Sequence, residues 1–190
     1  MTWQQTTVRA DDGTVLDIAL PPGWWSLPTD EPDLTARAHG IADNRPAPFP
    51  GIADELIQLA RVGASAGTIL MAGGAAADDE TGQVVSASLM VIMDDTGDTT
   101  PTDGIDEGPS ARLDLPAGVT VRRLFRGIAA SPLGDLWELK AQYAVAHARP
   151  WLLSFQTPAM THAMQLLDVF DGVAATLHIT PPPGENAVFG

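Results

Sequence analysis

The run Leu136-Trp137-Glu138-Leu139-Lys140-Ala141-Gln142-Tyr143-Ala144-Val145-Ala146-His147-Ala148 decides the fold. Trp137, Leu139, Ala141, Tyr143 and Val145 alternate with Glu138, Lys140 and Gln142. A period of two is what a strand needs to bury one face and wet the other. Downstream, Trp151 to Thr157 puts Trp151, Leu153 and Phe155 on one face, and upstream Val119 to Ala129 reads as a further strand. Sequential strands with short connections predict an antiparallel meander. A helix follows from a Thr161 cap, with Ala163, Leu166, Leu167, Phe170, Val173, Ala174 and Leu177 on one apolar stripe.

Toward the N-terminus, residues 3–20 read as a β-hairpin with Asp12-Gly13 as a two-residue type I′ turn. Val15, Leu16, Ile18 and Leu20 form its second arm, which stops at Pro21-Pro22-Gly23 because proline cannot donate to a ladder. Residues 30–43 suggest a helix with Asp30 as cap and Pro32 in the first turn, and Arg45 to Pro50 an extended connector. A second helix from Gly51 carries Ile52, Leu56, Leu59, Ala60 and Gly63 at helical spacing. Thr68 to Ala72 and Val84 to Met93 read as a strand pair, joined by a loop containing Asp78, Asp79 and Glu80. Residues 94–110 show no periodicity and read as a mobile loop, and the tail from Pro181 as frayed. The expectation is an α+β fold, an antiparallel β-sheet with helices packed on it. Residues 1–180 would form a single domain and 181–190 a flexible tail.

Composition narrows the function. The chain has 190 residues and no cysteine, which removes disulfides, thiolate metal sites and cysteine nucleophiles. Its net charge is −14, with Lys140 the single lysine, so nucleic acid and anionic membrane surfaces are disfavoured partners. No apolar run approaches the roughly 20 residues of a spanning helix, and no signal segment is evident, so no membrane insertion and a cytoplasmic location are expected. Six of the ten cations, Arg112, Arg122, Arg123, Arg126, Lys140 and Arg149, fall in one late stretch, which is either simple solubility or a polarised surface that steers a partner.

The opening that ends in Leu20-Pro21-Pro22-Gly23-Trp24 resembles the start of the Mog1/PsbP-like superfamily. So does the close, Trp151-Leu152-Leu153-Ser154-Phe155-Gln156-Thr157-Pro158 followed by a helix with Phe170-Asp171-Gly172-Val173-Ala174-Ala175-Thr176-Leu177. The resemblance implies an α/β/α sandwich of an actinobacterial lipoprotein-like or secretion-adaptor-like branch. Most members of that group bind another protein and catalyse nothing. It supplies no site residue, because the group shares no functional motif, and the chain lacks the cysteine of the lipoprotein branch.

Chemical motifs are few. Gly63-Ala64-Ser65-Ala66-Gly67 fits G-x-S-x-G, yet a nucleophile elbow needs strand then helix, and the order here is helix then strand. His39, His147, His162 and His178 lack metal-ligand spacing, and the acids between Asp94 and Glu107 lack a calcium-loop register. Arg122, Arg123 and Arg126 are split between two strand faces and are expected to pair with local carboxylates. No catalytic, cofactor-binding or metal residue is assigned. Trp24 and Trp25 point to opposite sides of an extended segment, so one can enter the core while the other stays at the surface. Trp24, Trp25 and Trp151 are the candidate partner-binding residues. The expected function is a non-enzymatic protein-binding module, an adaptor or chaperone-like domain without cofactor, its partner an unidentified protein or a second copy of the chain. The alternative is a small-molecule binder or cryptic enzyme, with a pocket between sheet and helix near Trp24, Tyr143 and Trp151 and with His147 as acid–base group.

Overall fold

In the computed structural model, residues 2–29, 32–44, 51–78, 81–82, 84–93, 106–129, 136–147 and 149–182 are described. They form β1 (Gln4–Arg9), β2 (Val15–Leu20), β3 (Trp25–Pro28), α1 (Leu34–Asp43), α2 (Ile52–Ser65), β4 (Thr68–Ala77) and β5 (Val84–Met93). Then come β6 (Asp106–Leu115), β7 (Gly118–Ala129), β8 (Leu136–Val145), β9 (Trp151–Thr157), α3 (Ala163–Ala175) and β10 (His178–Thr180). The larger sheet has seven strands in the order β3-β4-β5-β9-β8-β7-β6, and the smaller has three in the order β1-β2-β10. All of their pairings are antiparallel. The α+β class expected from the alternation therefore holds.

Period-two alternation sorts the large sheet into two buried clusters. Leu70, Ala72, Leu89, Val91, Tyr143, Leu153 and Phe155 face one way, against Leu167, Phe170, Val173 and Ala174 of α3 and Leu16, Ile18 and Leu20 of β2. Met71 and Leu27 face the other way, against Ala38 of α1 and Leu56, Ile57 and Ala60 of α2. The first cluster is larger because α3 and the small sheet cover it together. Phe155 sits at its centre, stacked on Phe170 at 4.6 Å and edge-on to Tyr143 at 5.4 Å.

Several local readings change. The β1–β2 turn is not the two-residue type I′. Gly13 alone has positive φ, and Ala10 N–H bonds Thr14 O while Gly13 N–H bonds Ala10 O. Asp12 instead accepts from Thr14 N (2.8 Å) and Thr14 Oγ1 (3.0 Å), which holds a longer turn with the left-handed residue at Gly13. Residues 106–110, read as loop, belong to β6, whose ladder to β7 slips between Glu107 and Ser110. The meander thus has four strands, β6 to β9, and β9 closes it against β5.

The buried stripe of α2 is Ala53, Leu56, Ile57 and Ala60, while Leu59 is 53% exposed. The stripe is rotated by about one residue from the reading that included Leu59. Helix α1 runs through Gly40 to Asp43 and starts after Asp33; Asp30 and the Arg45–Pro50 connector lie outside the described residues. Thr161 is not the cap of α3. It lies in a single 3-10 turn, Met160–His162, that leads into the helix. That turn is set by Thr157, whose Oγ1 donates to Ser86 O (2.7 Å) and accepts from Ala159 N (3.0 Å). The acidic stretch 94–105 and the tail 183–190 lie outside the described residues.

Candidate functional site

Trp24 and Trp25 straddle the large sheet. Trp24 packs against the larger core cluster and Trp25 against the smaller, each half-buried. What lets two adjacent indoles lie flat on one strand is the pair Gly73-Gly74 in β4. A Cβ at Gly73 would meet Trp25 Cζ2 at 2.9 Å, and one at Gly74 would meet Trp24 Nε1 at 2.7 Å. Real Cβ atoms essentially never come so close, so any side chain at either position would displace a ring. The opposed directions expected of these tryptophans are seen. Neither ring is left standing free, and both serve to carry the chain from the small sheet into the large one.

Trp151 is a correction. It is 1% exposed, among the largest fully buried side chains, and paired with Val145 and Met93 across its two ladders. A ring so enclosed is a core group and not a surface anchor, because its strand is central with neighbours on both sides.

Sequence reasoning passed over Trp137, placing it with the inward-facing residues of β8. It does point to the core face, yet it is 57% exposed, and so is Ile128, its directly opposed partner on β7. The two form a contiguous apolar pair at the end of the β7–β8 ladder. Alternation assigns a residue to a face; it does not say how far the covering layer extends. Leu139, two residues further along β8, is already buried.

The most developed polar cluster lies under α3. Tyr143 Oη donates to Asp171 Oδ1 at 2.6 Å, and Arg122 Nη1 pairs with Asp171 Oδ2. Burial, reinforced by the hydrogen bond and charge of Asp171, pushes the Tyr143 phenol well above the ordinary tyrosine value. Burial works against the Arg122 charge, but the hydrogen bond and charge of Asp171 outweigh it and hold the guanidinium above its usual value. Both carboxylate oxygens are engaged, so the cluster offers no free base and acts as a strut between α3 and the β7–β8 pair. Arg122 thus pairs with a local carboxylate as expected, while Arg123 lies on the opposite face beside Gln142.

His147 lines a cleft with Asp12, Thr14, Arg149 and Trp151. The enclosed volume is about 10 Å³, the room of one water molecule. Arg149 is bound to Asp12 at 3.2 Å, and Asp12 is held by Thr14. The structure brings His147 and Trp151 together there, but Trp24 and Tyr143 are not part of the lining. His162 Nε2 lies 3.2 Å from Asp78, tying the start of α3 to the β4–β5 loop. The G-x-S-x-G serine ends α2, its Oγ donating to Val62 O at 2.6 Å. Among the described residues no three histidine or acidic side chains converge as metal ligands, and no helix is long and apolar enough to cross a membrane.

Compared with known proteins, the chain matches no family model, no curated protein and no solved structure.

Proposed function

We propose that this chain is a non-catalytic protein-binding module whose contact surface centres on Ile128 and Trp137. The observation that carries the reading is their exposure as a cross-strand pair. A single exposed apolar side chain is ordinary on any surface. Two large ones opposed on a ladder form a patch, and tryptophan is the side chain most enriched where binding energy concentrates. The engaged state of the polar clusters supports a binding role over a catalytic one: Asp171 is committed to Tyr143 and Arg122, and Asp12 to Arg149 and Thr14. The Mog1/PsbP-like resemblance of the two chain ends belongs to the same proposal, and a shared fold would support binding in general without naming the partner.

The test compares capture from cell extract by the wild type and by an Ile128→Ser, Trp137→Ser variant of unchanged circular dichroism. A captured protein is then purified and its affinity measured directly. Loss of a tryptophan anchor should weaken binding about 30-fold, since such anchors contribute about 2 kcal/mol or more. Equal affinity for both forms would remove this patch from the function.

A further inference from the structure

The outer edge of β6 has a charge order that suits pairing with itself. β6 is ten residues long and, among the described residues, is paired on one side only, to β7. An edge of this kind offers unpaired backbone groups to any other strand. Its first half is blunted by Pro109 and the slip between Glu107 and Ser110, both common devices against edge pairing. From Ser110 to Leu115 the ladder to β7 is regular. The opposite edge of the same sheet, β3, has four residues and ends in Pro28. The edge strand β1 of the small sheet carries Arg9 as its one charge and has no acid to set against it.

We propose that the chain pairs with a second copy of itself along β6, antiparallel, about a two-fold axis at Leu113. An axis perpendicular to the sheet must match residues that point to the same face, so it passes through a residue and not between two. Charge then selects among the centres. At Arg112 the arginines of the two copies would face each other, and at Asp114 the two aspartates would. At Leu113, Arg112 of each copy faces Asp114 of the other, both exposed side chains on the same face. Two such pairs form for every axis.

The surroundings favour this edge for two acidic molecules. β6, β7 and β8 carry five of the ten cations, Arg112, Arg122, Arg123, Arg126 and Lys140, against the acids Asp106, Glu107, Asp114 and Glu138. In a chain of net charge −14, this is where two copies meet with the least repulsion. The surface is separate from the Ile128–Trp137 pair, and the two can fail independently.

So short a contact makes a weak dimer, with a dissociation constant on the order of tens of micromolar. Sedimentation equilibrium of the full chain reads it. Arg112→Asp or Asp114→Arg alone should weaken the dimer about 30-fold, because each turns two attractive cross-strand pairs into repulsive ones. The double exchange, Arg112→Asp with Asp114→Arg, should bring the dimer back to within about threefold of wild type, which a folding defect cannot do. In this cysteine-free chain, Leu113→Cys should give a disulfide-linked dimer on mild oxidation and Leu115→Cys should not, since only the axial residue meets its own copy. A wild type that stays monomeric at ten times the expected constant overturns the proposal. So does a single reversal that leaves the dimer intact, a double exchange that fails to restore it, or crosslinking at Leu115 and not at Leu113.

Discussion

Replacing Gly74 with alanine tests whether tryptophan packing or strand conformation reserves that position for glycine. A Cβ there would sit 2.7 Å from Trp24 Nε1 and 3.0 Å from Cγ, so the indole must lift or turn. Overpacking of this sort costs about 1–3 kcal/mol. Against it stands the gain of about 0.5–1 kcal/mol that alanine has over glycine in a strand interior. The net expectation is a loss of about 1–2 kcal/mol, or about 0.5–1 M in the urea midpoint for a chain of this size. In a Trp24→Ala background the ring is gone and only the conformational gain remains. There Gly74→Ala should raise stability by about 0.5 kcal/mol. Urea titration followed by far-UV circular dichroism reads both backgrounds without depending on the fluorescence of the residue removed. An equal cost in both would refute the packing account and leave backbone conformation as the reason for glycine.

Two further outcomes follow from buried polar groups. Tyr143 is the single tyrosine, so tyrosinate absorbance reports on it alone. Its phenol is held above the ordinary value, so its contribution to stability is complete below the unfolded pKa near 10 and declines as pH rises beyond it. Tyrosinate should therefore appear only together with loss of native circular dichroism, and Tyr143→Phe should flatten that alkaline decline while costing about 1 kcal/mol at neutral pH. Tyrosinate at about pH 10 in a folded chain would contradict the burial argument. Ser154 is 2% exposed and its Oγ has no hydrogen-bond partner among the described residues, between Met90 and Gln142 on the neighbouring strands. Ser154→Ala should stabilise by about 1 kcal/mol in thermal or urea unfolding, and a loss of that size would mean the hydroxyl is satisfied.

The parts of the fold that could be read from sequence are those where one face is dry and the other wet. β8 and β9 alternate because the larger core cluster lies on one side of them, and α3 shows its stripe because it covers that cluster. β6 was legible only in part. Ala111, Leu113 and Leu115 alternate with Ser110, Arg112 and Asp114, but that run is short, and Pro109 with the slip after Glu107 breaks the period in the first half. β10 has three residues, too few for a period, and its pairing partner β2 is remote in sequence. The α2 stripe went astray because Ile57 and Leu59 are both apolar, and only the direction of packing onto Met71 and Leu27 decides between them. For the candidate site, the opposed directions of Trp24 and Trp25 follow from backbone geometry alone. The burial of Trp151 and the exposure of Trp137 do not, since both depend on which elements lie over each strand. Gly73-Gly74 was the available sign that two rings press on β4.

The placement of β10 beside β2 has a consequence for how the molecule comes together. The hydroxyl of Thr176 accepts a bond from the backbone of Ala19 at 2.9 Å, across 157 positions of chain. Leu16, Ile18 and Leu20 are buried in the same cluster as Phe170 and Leu177. During synthesis this hairpin emerges with that apolar side bare and keeps it so until the 157 positions that separate Ala19 from Thr176 have followed. Ring closures of this span penalise fast assembly more than final stability. Until α3 and β10 arrive, the β1–β2 ribbon stays open to a chaperone in the nascent chain.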